Sequence, residues 1–296
     1  MTSSGATDLF VTHRSLLFTV AYEMLGSAAD AEDVVQEAWL RWADLGAEAQ
    51  AEVRDPRAYC VRIVTRQALN RLRTLSRRRE EYVGEWLPEP LLTVPDVAED
   101  VELAESVSIA MLTVLESLAP VERAVFVLRE VFDAPYDEIA EAVGKSSAAV
   151  RQIGSRARSH VAARRPRTQV GRTEQQLVVE RFVAAVTTGD VQGLMDVLAP
   201  DVVLVADGGG FANAVRVPVN GAKKVINLLR PFPQVAVGPR IALVWLNGGL
   251  GVRIDDEVGG PTLVSLEIED GRIVRIFAMR NPHKLGGVAT ETELAR

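Results

Sequence analysis

The sequence predicts a multidomain chain, two all-α units followed by an α+β unit with a curved sheet, and three observations carry that reading. Apolar residues recur at helical spacing through residues 8–80 and again through 106–165. Between them, residues 81–105 hold Pro88, Pro90 and Pro95 and a purely acidic charge set, a composition that resists a packed core and predicts a linker. After a short hinge at 166–173 the texture changes to two helices and then alternating β-branched runs, so residues 174–296 read as a separate domain.

In the first unit, Leu16, Leu17, Val20, Ala21 and Met24 share one helix face, and Gly26-Ser27 ends the run. From Asp30 to Trp42, Val34, Val35, Ala38, Trp39 and Trp42 gather on one side of a 100° wheel, with Asp30, Asp33 and Glu37 opposite. That acidic side suits either a docking surface or a solvated face of a core helix. Asp55-Pro56 predicts an N-cap and first-turn proline for a helix running to about Arg79. Its stripe of Val61, Val64, Ala68, Leu72 and Leu75 turns inward, while Arg62, Arg66, Asn70, Arg73 and Arg77 share the other face. Such a strip without acidic partners repels itself unless a phosphate backbone neutralises it, although a solvated face has the same pattern. The Leu45–Arg54 stretch reads as a loop.

In the second unit, Val121, Ala124, Val125, Leu128 and Phe132 form an amphipathic face after Pro120. Tyr136–Val143, a tight turn at Gly144 and a helix opening at Ser146-Ser147 have helix–turn–helix spacing. Val150, Ile153, Ala157 and Val161 pack, with Gly154 at their border, and Arg151, Gln152, Ser155, Arg156 and Arg158 face outward. Arginine and glutamine read base edges bidentately; a structural corner is the plainer alternative.

In the third unit, Glu174–Val186 and Val191–Leu198 read as helices. Strands are expected at Val202–Ala206, Val215–Val219, Val235–Val237, Ile241–Leu246, Gly251–Ile254, Leu263–Ile268 and Ile273–Met279, interrupted by a helix at 222–230. Asp270-Gly271 predicts a hairpin turn between the last two strands.

The net charge of −7 conceals blocks. Residues 54–79 hold nine arginines against Asp55, residues 81–105 eight acids and no base, and residues 143–167 seven bases and no acid. Fields act over roughly 8–10 Å, so two basic surfaces separated by an acidic strap matter more than the sum. The single cysteine, Cys60, excludes a disulfide framework and a multi-cysteine zinc site, and three scattered histidines argue against a histidine metal site. No run approaches the ~18–20 apolar residues of a membrane span, and no leader pattern opens the chain. A cytoplasmic protein without cofactor or metal is expected.

Three segments resemble the extracytoplasmic-function group of bacterial sigma factors. Asp30-Ala31-Glu32-Asp33-Val34-Val35-Gln36-Glu37-Ala38-Trp39-Leu40-Arg41 is similar to the group's polymerase-binding segment. Asp55-Pro56-Arg57-Ala58 through Arg77-Arg78-Arg79-Glu80 is similar to its −10 region, and Ser147–Arg158 to its −35-reading helix. Residues 174–296 resemble the SnoaL-like, NTF2-like cone that a subgroup of these factors carries at the C-terminus. Tyr82-Val83-Gly84-Glu85-Trp86-Leu87-Pro88-Glu89-Pro90, Asp207-Gly208-Gly209-Gly210 and Asn281-Pro282-His283-Lys284-Leu285 resemble that subgroup's motifs, with His283 standing where the pattern has an acid.

The resemblance implies sigma domain 2 at 8–80, sigma domain 4 at 106–165 and an NTF2-like regulatory domain at 174–296. It implies core RNA polymerase and promoter DNA as partners, with no membrane and a monomer when free. Asp30, Asp33 and Glu37 are then expected on polymerase. Arg62, Arg66, Asn70, Arg73 and Arg77 are expected at the −10 element, with part of the base pocket in Leu45–Arg54. Arg151, Gln152, Ser155, Arg156 and Arg158 are expected at the −35 element. The linker would thread a basic polymerase channel as a nucleic-acid mimic. Asp207, Gly208, Gly209, Gly210, Asn281, Pro282, Lys284 and Leu285 would regulate in cis, so a separate anti-sigma protein is not obligatory. No paired-carboxylate or His–Asp constellation suggests an enzyme, yet a ligand-sensing or enzymatic cone remains an alternative, as does a helix–turn–helix regulator that works without polymerase. The sequence does not identify a ligand.

Overall fold

The computed structural model describes residues 3–164, 171–286, 288 and 291–296, with the side chains of 3–9, 76–80 and 98–99 left undescribed. Most of the expected hinge and the side chain of Arg77 therefore lie outside the described residues.

The first unit contains α1 (Ser3–Leu25), α2 (Ala28–Asp44), α3 (Gly46–Glu52) and α4 (Pro56–Glu80). Ser27 caps α2 by accepting from the Asp30 amide at 3.2 Å, and Asp55 caps α4 by accepting from Ala58 at 2.9 Å. The stretch expected as a loop at Leu45–Arg54 holds α3, because its alanines, glutamates and glutamine are strong helix formers. Trp39 lies at the edge of the packed stripe, 37% exposed, and not within it; Trp42 fills that place against Tyr59.

The second unit contains α5 (Val101–Ser106), α6 (Ile109–Glu116), α7 (Pro120–Phe126, continued by a π-helical turn to Val131), α8 (Tyr136–Val143) and α9 (Ser147–Ala162). Gly144 takes the left-handed conformation between α8 and α9, and Ser146 caps α9. The two basic surfaces expected to stand apart do not. Leu17 and Met24 of α1, Leu72 of α4, Leu112 and Leu115 of α6, Leu128 and Ile139 belong to one continuous core, and α8 packs directly on α4.

The C-terminal unit runs α10 (Arg172–Thr188), α11 (Val191–Val197), β1 (Leu198–Asp207), β2 (Val219–Asn220), α12 (Ala222–Leu229), α13 (Phe232–Val235), β3 (Arg240–Leu246), β4 (Gly249–Asp256), β5 (Gly260–Glu269) and β6 (Arg272–Met279). Among the described residues there is one six-stranded sheet, ordered β2-β1-β6-β5-β4-β3, antiparallel except for the β1–β6 pair. Two expected strands fail. Val215–Val219 contributes only the end that becomes β2, and Val235 closes a turn of helix that Pro231 and Pro233 favour by fixing φ near its helical value. The turn at Asp270-Gly271, with φ of 48° and 71°, is the expected hairpin.

Both faces of the sheet are apolar. Val264, Leu266 and Ile276 turn toward Val179 and Phe182 of α10, Leu194 of α11 and Val225 of α12. The alternate residues Leu263, Phe277 and Met279 turn the other way, onto Leu87 of the linker and Ile109 and Ala110 of α6. A sheet buried on two sides has near-continuous apolar strands, which explains the texture of Leu263–Met279.

The linker is not a solvated strap. Leu87, Leu91 and Val97 are buried together with Pro88 and Pro90, while Glu81 and Asp96 stay exposed. Counting charges hid this arrangement: Glu81, Asp96 and Glu102 face water, Leu87 faces the sheet, and Leu91 and Val97 enter the helical core. At its centre the backbone pairs with the end of β3, the Thr93 amide donating to Trp245 at 3.0 Å and the Asn247 amide to Leu91 at 2.9 Å. The β3–β4 turn, Asn247-Gly248, plunges between α1, the linker and α5. The Asn247 side chain accepts from the Leu91 amide and donates to Tyr22 Oη at 2.7 Å and Val107 O at 2.8 Å. A Cβ on Gly248, at φ 75°, would stand 2.6 Å from the Ala104 backbone. Gly248→Ala should therefore destabilise the chain by about 1–3 kcal/mol through overpacking and strain, read as a lower urea midpoint.

Beside this plug, Glu23 of α1 is fully buried and accepts from Ser106 Oγ at 2.7 Å, and burial pushes its carboxyl up to about 8. Above the ordinary value of 4.5 the unfolded chain ionises Glu23 while the folded chain keeps it protonated, so this group lowers stability as pH rises toward 8. Glu23→Gln should match the parent Tm near pH 5 and exceed it at pH 8.5, as followed by circular dichroism.

Candidate functional site

The arginine face of α4 is covered in part by α8. Arg62 pairs with Glu141, and Arg66 Nη2 donates to Glu141 O at 2.8 Å, both at the α8 C-terminus where the helix dipole is negative. Asn70 and Arg73 remain exposed and bond to one another at 3.1 Å. The structure thus places four of the five expected −10 residues on one face and ties two of them to the other helical unit.

On α9, Arg151, Gln152, Ser155, Arg156 and Arg158 all lie exposed on the outward face. Arg158 pairs with Glu130 at 3.3 Å, Arg156 approaches Glu122 at 3.8 Å, and Arg151 stands over the Tyr136 ring. Exposed pairs of this kind contribute about 0–1 kcal/mol each and yield readily to phosphate. On α2, Asp30 and Asp33 both bind Arg71 of α4, at 2.6 and 2.7 Å, so that Arg71, absent from the sequence-based set, fixes the acidic face. Glu37 is exposed next to Trp39 and Leu40.

The remaining expected residues converge on one buried carboxylate. Asp207, at the end of β1, is fully buried and accepts from Tyr82 Oη at 2.5 Å, from the Leu87 amide at 2.9 Å and from Lys284 Nζ at 2.7 Å. Lys284 also donates to Leu87 O at 2.5 Å and stands 3.9 Å from the Trp86 ring centroid and 4.9 Å from that of Tyr82. Asn281 donates to Tyr82 Oη at 2.7 Å. Burial, and then the bond to Asp207, push the Tyr82 phenol upward, so it remains a proton donor.

The glycines after Asp207 let the backbone come close. A Cβ on Gly209, at φ 60°, would collide with the Asn281 amide and stand 2.9 Å from Tyr82 Oη. Gly208 and Gly210 line the same loop, against Ala212 and Val83. Leu285 packs with the outer face of the sheet, while Pro282 and His283 are exposed. His283 contacts the Phe211 ring edge-on at 4.4 Å, outside the carboxylate cluster, so a histidine there leaves the latch complete.

On its other side the linker grips α2. Glu89 accepts from Ser27 Oγ at 3.1 Å and from the Ala28 and Ala29 amides at 2.7 and 3.2 Å, a carboxylate on a helix N-terminus. Arg123 of α7, 3% exposed, donates to Met24 O at 2.7 Å and grips Glu116, and burial pushes its guanidinium down to about 10. Sequence reasoning missed Arg123, Tyr22 and Asn247. Only the last carried a signal, the Asn-Gly hairpin pair between two alternating runs.

Comparisons with known proteins agree with this organisation. Sigma-70 region 2 matches residues 9–78, and Sigma-70, region 4 matches residues 108–161. The chain is 36% identical over 294 residues to the ECF RNA polymerase sigma factor SigJ of Mycobacterium tuberculosis (strain ATCC 25618 / H37Rv), covering 94% of this chain and 92% of that protein. It is 29% identical to the probable ECF RNA polymerase sigma factor SigI of the CDC 1551 / Oshkosh strain, covering 94% of each. The crystal structure of the M. tuberculosis extracytoplasmic function sigma factor SigJ matches with a TM-score of 0.76 at 34% identity, over 96% of this chain and 99% of that one. A region 2 and a region 4 joined on one chain define a sigma factor, the subunit that directs polymerase to promoters. This chain belongs to the extracytoplasmic-function RNA polymerase sigma factors.

Removing one partner of a buried ion pair leaves the other uncompensated, at a cost of about 3–5 kcal/mol. Lys284→Ala should show a loss of that order in urea unfolding. Lys284→Met combined with Asp207→Asn should lose clearly less than the sum of its single substitutions, because the double variant leaves no lone charge.

Proposed function

We propose that the C-terminal unit, read as a SnoaL-like cone, restrains this sigma factor in cis by holding region 2, the linker and region 4 in a closed arrangement. The observation that carries this reading is the convergence of the linker, the Asp207 loop and the Asn281–Leu285 segment on one carboxylate while α8 bonds to Arg62 and Arg66. In the closed form those two arginines are bonded to α8, so these contacts must be exchanged for promoter phosphates before full engagement of the −10 element.

Once open, Asp30, Asp33 and Glu37 dock on a basic surface of core polymerase. Arg62, Arg66, Asn70, Arg73 and Arg77 neutralise the backbone around the melted −10 bases, where extrusion costs a few kcal/mol. Arg151, Gln152 and Ser155 read the −35 duplex in the major groove, with Arg156 and Arg158 on phosphates. The freed linker, with its eight carboxylates, suits a basic channel. Regulation is favoured over catalysis because apolar side chains of α10, α11 and α12, such as Phe182, Leu194 and Val225, fill the inner face of the sheet.

A restraint of about 1–3 kcal/mol corresponds to a 5–150-fold change in occupancy. In transcription with purified core polymerase, the Asp207→Asn/Lys284→Met protein should give at least fivefold more promoter-specific transcript than the parent at limiting sigma. Asp33→Lys/Glu37→Lys should abolish polymerase binding. Equal transcript from the parent and the latch variant would refute control in cis.

A further inference from the structure

The chain beyond the Asn281–Leu285 motif returns to the helical units. Thr292 bridges Thr93 in parallel and its amide donates to Leu92 O at 2.7 Å, the Ala295 amide donates to Thr19 Oγ1 of α1 at 3.2 Å, and Leu294 enters the helical core at 9% exposure. Arg296 Nε lies 2.9 Å from Asp100, the N-cap of α5, and Nη1 pairs with Glu102. Glu291 and Glu293 point to solvent. This is the two-residue alternation of a strand: Thr292, Leu294 and Arg296 face the protein, and the glutamates between them face water.

We infer that the groove formed by Thr19 of α1, the Leu92–Thr93 edge of the linker and the Asp100/Glu102 pair is a peptide-binding site. It takes an extended segment in which an apolar side chain is followed two positions later by an arginine, and residues 291–296 occupy it in cis. Main-chain bonds to a linker edge supply affinity and alternate side chains supply selectivity, as in recognition by strand addition. The arginine meets two carboxylates of opposite charge, and beyond it Arg129, Glu130, Asp133 and Arg158 line a hollow of about 480 Å³ shared with region 4.

The seat belongs to no single unit. α1 contributes one wall and the linker, through its Leu92–Thr93 edge and the start of α5, the others, so it exists only while α1 and the linker are together, and a bound segment favours that state by mass action. Tethering gives the cis segment a local concentration of order millimolar, enough for a short peptide with modest intrinsic affinity. The inference holds whether or not the C-terminal unit restrains transcription.

The test uses the full-length protein and an amidated peptide, ETELAR. Leu294→Asp should speed hydrogen exchange at the Thr292 and Ala295 amides at least tenfold. The vacated groove should then bind the added peptide, seen by chemical-shift changes at Thr19 and Thr93, at least tenfold more tightly than the parent does, and a peptide with Asp in place of Leu should not bind. Arg296→Glu should also speed exchange, and adding Glu102→Arg should restore most of the protection, a rescue that general unfolding does not mimic. Peptide binding to parent and Leu294→Asp with equal affinity, no binding to the variant, or tail amides that exchange as fast in the parent as in Arg296→Glu would overturn the inference.

Discussion

The closed structure depends on the Asp207 carboxylate being buried and still satisfied. A carboxylate removed from water needs a countercharge and hydrogen bonds to most of its lone pairs. Asp207 has one cation and two further donors, and only the cation comes from its own unit: Tyr82 and the Leu87 amide both belong to the linker. Lys284 is in the same position, since its other acceptor, Leu87 O, and its aromatic neighbours, Trp86 and Tyr82, are linker groups. The C-terminal unit therefore carries an ion pair whose solvation is completed by the segment that joins the two sigma regions. The linker must bring three groups to one place or leave that pair to water.

The same segment is committed on its far side. Glu89 sits on the α2 N-terminus, and Tyr22 donates to Glu89 O at 2.6 Å, so the linker register that serves Asp207 also sets where α2 starts. α2 presents Asp30, Asp33 and Glu37. The C-terminal unit thus reaches the face proposed to dock on polymerase through a short extended piece of backbone with bonds on both edges. Asn247 adds a third tie by meeting Tyr22 and the linker from the β3–β4 turn. Rigid coupling of this kind needs no long chain of intermediates between the two sites.

Much of the helical architecture was legible because its signals are local. Ser27, Asp55-Pro56, Gly144 and Ser146 act within one turn of where they stand, and the structure puts a cap or a turn at each. The linker was misjudged because composition averages over faces: eight acids among twenty-five residues look solvated, yet among them Leu87 finds the outer face of a sheet more than a hundred residues away, and Leu91 and Val97 enter the helical core. The three motifs of the latch could be quoted from the sequence, but their convergence could not, since it rests on partners such as Tyr82 and Asn281 that are 199 residues apart. Arg71 was passed over for a related reason. It entered only the count of nine arginines in 54–79, whereas its partners lie on α2.

The arginines bonded to α8 show where the strength of the proposed restraint would reside. Arg62 meets Glu141 with a quarter and more than half of the two side chains exposed, and Arg66 meets carbonyl oxygens at the end of a helix. Both contacts imitate phosphate weakly: one full charge and a fraction of a dipole stand where a DNA strand would offer a series of full charges. Exposed contacts of that kind contribute about 1 kcal/mol or less, so they cannot by themselves hold region 4 on region 2 against a promoter. The buried groups behind them can: Asp207 with Lys284, Arg123 with Glu116, and the apolar outer face of the sheet. This division is useful chemically. On the proposed reading, the surface assigned to DNA keeps its arginines nearly unspent, and the energy that would oppose opening lies at buried groups away from it, where a change in the C-terminal unit would alter it without altering promoter recognition.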